Sequence, residues 1–393
     1  MKTEGPSNRA GRYITQPAGY KAFIPSPLPP DPPITWDEEL QSLLSKADMA
    51  LGRLDGIATV LPNPDLFVGM YVRKEAVLSS QIEGTRASLI DILDYETTGE
   101  MVKDVDEIVN YVRAMNNGLE QLRSLPLSLR LIRKIHEELL KGVRGEQRTP
   151  GEFRTTQNWV GPPGSTINNA MFVPPPPHEM MAALGDLEKY IHEQDNLPVL
   201  IKNALIHAQF ETIHPFLDGN GRIGRLLITF ILVHDHILER PLLYLSYYFK
   251  RNREGYYDRL NNIRNRGDWE GWLKFFLRGV YEVSRQAVET AREIIGLQDR
   301  DRSRLADSPN GLKLMDHLFM NPLVTIKEIR RVTGTSNATA GRLAKQMIEL
   351  GVLSEITGYA RNRKFLYKDY FNILLEEVDD NLPGEKGKKG GRT

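Results

Sequence analysis

The sequence predicts a mainly α-helical protein of two or three domains, and three observations carry that reading. The chain has 393 residues, or two to three domains at about 150 residues each. Apolar residues recur at three- and four-residue spacing along most of it. Stretches rich in proline, glycine and asparagine break those runs at only a few places. Hydrophobic residues make up 40% and charged residues 26%, which excludes a wholly disordered chain. The 51 basic and 51 acidic side chains cancel, so polyanion binding would need a local patch. The absence of cysteine excludes disulfides, thiolate metal sites and a cysteine nucleophile. The longest apolar run, Leu226 to Val233, is far too short to span a bilayer. The first residues carry no apolar signal segment, so a cytoplasmic location and no membrane contact are expected.

Residues 1–20 are polar and glycine-rich and read as a mobile arm. Six prolines between Pro25 and Pro33 read as an extended strap of polyproline II. From Thr35 the pattern becomes helical, with Thr35 and Glu38 placed as a capping box. A second helix runs from about Asp65 to Ile82 and stops at Gly84, a residue suited to a helix end. Helical spacing continues through 105–123, 127–142, 179–194 and 199–212, then 222–238, 253–265 and 269–296. Between them, Gly151 to Pro177 reads as a β-hairpin or flap, ended by four prolines. Gln298 to Asn310 is charged and reads as a linker. Residues 311–370 then follow as helix, short helix, turn at Gly334, a third helix capped by Ser336, and two strands around Gly358. That order is a helix–turn–helix with a β-wing. The Lys/Gly-rich end reads as a disordered tail.

The chemistry concentrates in Ile213 to Arg225. Pro215 disfavours helical geometry at His214, so one helix ends there and another starts near Arg222. Gly219 and Gly221 let the backbone approach a ligand closely. Amides at a helix start bind anions, phosphate above all. Arg222 and Arg225 lie three apart on one face and reach phosphate oxygens. Asp218 offers a hard oxygen ligand for a magnesium ion bridging those phosphates. His214 has a pKa suited to taking a proton from an attacking hydroxyl. Read as an ordinary core histidine, His214 would leave the two glycines and two arginines without a purpose.

This segment resembles the core motif of the Fic family, His-x-Phe-x-Asp-Gly-Asn-Gly-Arg-x-x-Arg, and matches it at every specified position. Gly151-Glu-Phe-Arg-Thr-Thr-Gln and Phe172-Val-Pro-Pro-Pro are similar to the family's flap segment. Tyr256 and Tyr257 resemble the tyrosine pair that contacts the nucleoside. Ser79-Ser-Gln-Ile-Glu-Gly84 fits the inhibitory motif, with Ser79, Glu83 and Gly84 at its specified positions. The resemblance implies a Fic helical bundle with a β-hairpin flap, followed by the winged helix–turn–helix. It divides the chain into an arm and strap (1–34), a helical domain with the inhibitory helix (35–104), a catalytic core (105–297), a linker (298–310), the winged unit (311–375) and a tail (376–393).

The activity implied is transfer of AMP from ATP to a Ser, Thr or Tyr hydroxyl of a target protein. By position, His214 deprotonates the hydroxyl, Phe216 anchors the loop, and Asp218 holds magnesium. Gly219, Asn220, Gly221, Ile223 and Gly224 form the nucleotide-binding turn, with Asn220 and its neighbours orienting the α-phosphate. Arg222 and Arg225 hold the β/γ end, and Glu83 restrains Arg225. The target would dock on the 157–173 flap by strand addition. Where the kinase branch of the family has Lys, this chain has Gly221, which favours nucleotidyl transfer.

Glu83 read alone is a surface carboxylate at a helix end, where the macrodipole disfavours it; pairing with Arg225 relieves that cost. His234, Asp235 and His236 do not share a helix face and read as a solvated helix end rather than a metal site. His207 reads as a packing or hydrogen-bonding residue. Arg342, Lys345, Arg361, Arg363 and Lys364 suit DNA contact through 336–364, and protein docking is the other reading of that surface. The alternatives to the transferase are a DNA-binding regulator with an ATP-sensing core and an enzyme that removes AMP. The oligomeric state is left open, a homodimer included.

Overall fold

The computed structural model describes residues 9–60, 64–100, 102–143, 147–162, 164–359 and 361–375. It divides into two compact units, Met1–Val288 and Glu289–Thr393. No helix among the described residues is long and apolar enough to cross a membrane.

The first unit opens with a surprise of register. Strand β1 (Gly11–Thr15) pairs antiparallel with β2 (Lys21–Pro25), Tyr13 facing Phe23. Residues 11–25 thus form an ordered hairpin, whose first half falls within the stretch 1–20 that the sequence reading had as a mobile arm. The reason is packing: Ala22 and Phe23 are fully buried, and the Phe23 amide donates to the carbonyl of Val173 at 2.9 Å. The proline strap is not uniform polyproline II either, since the Leu28–Pro29 and Asp31–Pro32 bonds are cis. Residues 1–8 of the expected arm and the tail 376–393 lie outside the described residues.

Helix α1 (Glu38–Val60) buries Leu40, Leu43, Ala47 and Leu51 of the stripe read from Trp36 to Leu51, and Leu54 beyond it, while Trp36 is exposed and Leu44 only half-buried. Its start is capped by Asp37, whose Oδ1 accepts from the Leu40 amide at 2.8 Å. The Thr35 amide instead donates to Glu270, so the expected Thr35 capping box does not form. Helix α2 (Pro64–Ile82) ends where predicted, and Gly84 beyond it takes φ +98°. Short α3 (Leu89–Thr98) follows, then α4 (Val105–Leu122) and α5 (Leu129–Leu139). The sequence reading did not anticipate α3.

In the flap, Val160 and Phe172 form a single antiparallel bridge rather than a hairpin ladder. Helices α6 (Pro177–His192), α7 (Val199–Ile213) and α8 (Asn220–His234) come next. Every residue of α7 from Asn203 to Ile213 is buried, which makes it a central helix rather than an amphipathic surface one. Short α9 (Ser246–Arg251), α10 (Arg253–Arg266) and the 36-residue α11 (Trp269–Arg304) complete the bundle. The boundary between the units falls within α11, and residues 298–304 are helix where a linker was read. Charged residues there are paired: Asp301 is buried and takes Arg300, Arg304 and the Tyr367 hydroxyl.

The second unit contains α12 (Pro309–Met320), β3 (Leu323–Thr325), α13 (Ile326–Thr333), α14 (Asn337–Glu349), β4 (Ser354–Glu355), β5 (Lys364–Leu366) and α15 (Lys368–Leu375). Its three strands pair in the order β3–β5–β4. Ser336 caps α14 by accepting from the Thr339 amide at 3.2 Å, and Gly334 makes the turn before it at φ +69°. Strand β3 was not anticipated, being only three residues long.

Helices α4 and α8 approach closely at Gly118, where a Cβ would lie 2.4 Å from the buried ring of Phe230. Gly118→Val is expected to cost about 1–3 kcal/mol or more through overpacking, despite valine's better helix propensity. The check is a lowered midpoint of thermal unfolding.

Candidate nucleotide-binding and transfer site

The site sits on one turn between α7 and α8, and the sequence dictates its shape. His214 closes α7 in the left-handed region, φ +50° and ψ +61°, and Pro215 after it keeps the helix from continuing. The chain then loops to Gly219, also left-handed at φ +79°, and α8 starts at Asn220. Asn220 ties this loop shut. Its Oδ1 accepts from the Phe216 amide and its Nδ2 donates to the Phe216 carbonyl, both at 2.8 Å. Its side chain thereby joins the start of α8 to the loop at Phe216. Phe216 is fully buried, as expected.

His136 of α5 holds the loop from below, a role that sequence reasoning missed. Its ring stacks on Phe216 with centroids 3.7 Å apart. Nδ1 accepts from the Gly151 amide at 2.9 Å, which leaves the proton on Nε2 to donate to the Asp218 carbonyl at 3.0 Å. Burial pushes its pKa down to about 4, aided by the charge of Arg222. The only sequence signal was a histidine in an apolar helical stripe.

His214 is neutral at ordinary pH for similar reasons. Burial, then the positive charges of Arg264 and Arg154, push it down to about 4. Its Nδ1 is buried with no hydrogen-bond partner among the described residues. A neutral imidazole can accept a proton. Asp218, by contrast, has a side chain 45% exposed. Its Oδ1 accepts from the Gly219 amide at 2.6 Å and lies 3.5 Å from Arg222.

Arg225 is the most constrained cation of the site, its side chain 2% exposed. Nε donates to Ser79 Oγ at 2.7 Å, and Nη2 donates to the Ser79 carbonyl at 3.0 Å and to Glu83 Oε1 at 2.7 Å. Two residues of the expected inhibitory motif therefore meet the last arginine of the core motif. Gly84 contributes the turn, not a contact. The Glu83 carboxyl sits below its ordinary pKa: burial would raise it, and the charge and hydrogen bond of Arg225 override that. Glu83 lies beyond the end of α2 but against the first turn of α8. A Cβ on Gly221 would lie 2.3 Å from its Oε1. A carboxylate poorly placed at one helix's C-terminus thus sits at another's N-terminus, where anions are favoured. Arg222 faces Glu107 at 3.4 Å and Asp218 at 3.5 Å. Glu107 also accepts from Thr85 at 2.9 Å, a second link between the turn after α2 and the core motif that the sequence did not suggest.

Ile223 is buried in α8, and Gly224 lets α7 approach: its Cβ would meet Glu211 Oε1 at 2.4 Å. Tyr256 is buried, its hydroxyl 2.9 Å from His207 Nε2. His207 Nδ1 lies 2.9 Å from the Gly224 carbonyl, so the Nδ1 proton donates there and Nε2 accepts from Tyr256. Tyr256 is core in this structure, and only its neighbour Tyr257 retains partial exposure. His207 bonds rather than titrates, as expected, pushed down to about 3 by burial. His234 lies 2.8 Å from Asp235 at the end of α8, and no cluster of three metal-ligating side chains occurs among the described residues.

In the second unit, Arg342 and Arg361 are exposed. Lys345 and Arg363 each face a carboxylate, Glu349 at 3.7 Å and Glu355 at 3.2 Å, so the basic surface is partly neutralised.

Comparison with known proteins agrees with this geometry. Residues 41–120 match the Fic/DOC family N-terminal domain and residues 126–232 match the Fic/DOC family. A probable protein adenylyltransferase of Aquifex aeolicus is 31% identical over 196 residues, covering 48% of this chain and 54% of that protein. Protein adenylyltransferase Fic of Drosophila grimshawi is 30% identical over 180 residues, covering 45% of this chain and 34% of that protein. This chain thus spans about half or less of these curated relatives. The crystal structure of a Fic family protein from Desulfovibrio desulfuricans superposes with a TM-score of 0.57 at 18% identity, covering 85% of this chain and 97% of that one, which shows a shared fold.

The tautomer and low pKa of His136 give a direct expectation. Its ring should stay neutral, with the proton on Nε2, from pH 8 down to about 5, because the folded-state value lies near 4 rather than 6.5. Imidazole ¹⁵N NMR reads both features; a titration centred near 6.5 would mean the ring is not held. The loop motif lies within the segment that matches the Fic/DOC family, residues 126–232, and Glu83 lies within the segment that matches the Fic/DOC family N-terminal domain, residues 41–120.

Proposed function

We propose that the chain transfers AMP from ATP to a hydroxyl group of a protein, and that Glu83 holds this activity low. The observation that carries the proposal is the Glu83–Arg225 pair at 2.7 Å, set at the N-terminus of α8 beside a neutral His214. In the reaction, His214 takes the proton of a Ser, Thr or Tyr hydroxyl. That oxygen bonds to the α-phosphorus as the bond from the α-phosphorus to the bridging oxygen breaks, and pyrophosphate leaves with the electron pair. The amides opening α8 and the guanidinium groups of Arg222 and Arg225 stabilise the developing charge. The target segment would lie along the flap at 157–173, where Trp159 and Met171 are exposed.

Magnesium fits the residues present. Asp218 is a single, half-exposed carboxylate facing solvent at the anion-binding turn. Magnesium is commonly held by one or two carboxylates plus substrate phosphates and water. It would supply neutralisation of phosphate charge at Asp218. Tyr257 is the better placed of the two tyrosines to meet a nucleoside, since Tyr256 is committed to His207. The reverse chemistry, removal of AMP from a protein with Glu83 activating water, uses the same groups.

A second reading concerns residues 336–364. Helix, strand, helix, Gly334 turn, capped α14 and two strands follow the order of a winged helix–turn–helix, whose third helix would face DNA. Arg342 and Arg361 would then contact phosphate, and affinity would fall steeply with salt. The neutralising partners of Lys345 and Arg363 favour protein docking instead.

Glu83→Gly should raise AMP incorporation from labelled ATP by about an order of magnitude or more, because a cation freed to hold the γ-phosphate realigns the α-phosphate. His214→Ala in the same background should remove incorporation by on the order of 10²–10⁴-fold while nucleotide still binds. Equal incorporation by parent and Glu83→Gly would refute the inhibitory role, and transfer by His214→Ala within a few-fold would refute the base.

A further inference from the structure

Arg154 is a buried cation outside the core motif. It is 1% exposed, and no carboxylate pairs with it among the described residues. Burying an unpaired charge is costly, so something must replace the missing anion. Four carbonyl oxygens do. Nε donates to His214 at 3.0 Å, and Nη2 donates to Pro175 at 2.6 Å and Ile213 at 3.4 Å. Nη1 donates to Thr156 at 3.2 Å. Ile213 and His214 lie at the C-terminal end of α7, whose unsatisfied carbonyls carry partial negative charge. The helix end stands in for a carboxylate.

The four acceptors come from two places with different jobs. Thr156 and Pro175 are the two roots of the flap. Ile213 and His214 are the turn that aims the imidazole. The Arg154 amide adds a fifth bond, to the Pro215 carbonyl at 2.9 Å. Asn158, one step along the flap, donates to the Phe216 carbonyl at 2.9 Å. A planar fork bonding several acceptors at once fixes their mutual geometry, which a lysine's single ammonium cannot do.

We propose that Arg154 is a positioning residue: its guanidinium clamps both flap roots to the His214 turn, so that a hydroxyl carried on the flap meets the imidazole at reacting distance. This rests on the transfer reading above. The nucleotide turn is fastened separately, by Asn220 on Phe216 and by His136 on Asp218. Losing Arg154 should therefore spoil transfer and spare nucleotide binding.

The test compares Glu83→Gly with Glu83→Gly carrying Arg154→Lys or Arg154→Met. Binding of a fluorescent ATP analogue, AMP incorporation into the protein itself, and hydrogen exchange are measured on each. Arg154→Lys keeps the charge and is the variant expected to fold. It should bind the analogue within about threefold of its parent yet incorporate AMP roughly 10²-fold more slowly, the loss that a misplacement of about 1 Å brings. Exchange should rise together in 155–175 and 213–216, with α8 unchanged. Full transfer by Arg154→Lys would overturn the clamp and leave charge alone as the requirement. Parallel loss of analogue binding and of α8 protection would overturn it in favour of a general structural prop. If Glu83→Gly itself incorporates no AMP, the transfer reading fails. The exchange arm then decides the clamp alone: unchanged exchange in the flap or in 213–216 overturns it.

Discussion

A buried guanidinium needs partners, and among the described residues Arg225 donates to Ser79 on α2 and to Glu83 on the turn that follows it. This requirement organises the site. Arg225 sits in α8, the helix whose N-terminus makes the anion-binding turn. Ser79 satisfies two of its donor contacts and Glu83 a third. Removing either partner would leave buried N–H groups without acceptors, at about 1–3 kcal/mol each. The first unit therefore locks α2 against α8 through polar bonds as well as packing, and Glu107 adds a link between Arg222 and Thr85.

The electrostatics follow from that lock. The end of α2 is a poor place for a carboxylate, and the start of α8 a good one. Glu83 satisfies both facts by crossing from one helix to the other. Gly221 allows the crossing, since a side chain there would collide with Glu83. Glycine at this position is set by close approach rather than by an unusual φ. The surrounding imidazoles are all driven neutral: His136 and His214 to about 4, His207 to about 3. Burial is the leading cause in each, and neighbouring arginines reinforce it. The arginines gathered at this turn thus help to keep the imidazoles beside it deprotonated.

Much of this was legible in the sequence because it was local. The loop from His214 to Arg225 declares itself by residue type within one stretch, and Gly84 and Ser336 mark helix ends by local chemistry. Partners far apart in sequence were not legible. Arg154 reaches His214 across 60 residues and His136 reaches Asp218 across 82. Each looked like an ordinary member of its own segment. The hairpin at 11–25 was misread because its polar composition hid Phe23, whose burial depends on the flap. The two side-chain bonds of Asn220 to Phe216 were not legible either, because composition does not show which backbone groups an amide side chain will meet. Tyr256 and Tyr257 differ only in which face of α10 each occupies, and only the buried one meets His207.

The central claim is that Glu83 and Arg225 are energetically coupled in the folded protein. A double-mutant cycle with Glu83→Gln and Arg225→Met, read by denaturant unfolding, tests it without assuming any activity. Arg225→Met also loses the Ser79 bonds, but the cycle cancels that shared loss. The account predicts an interaction energy of about 0.5–3 kcal/mol, as for residues in direct contact. Additivity within about 0.3–0.5 kcal/mol, the behaviour of distant independent sites, would contradict it.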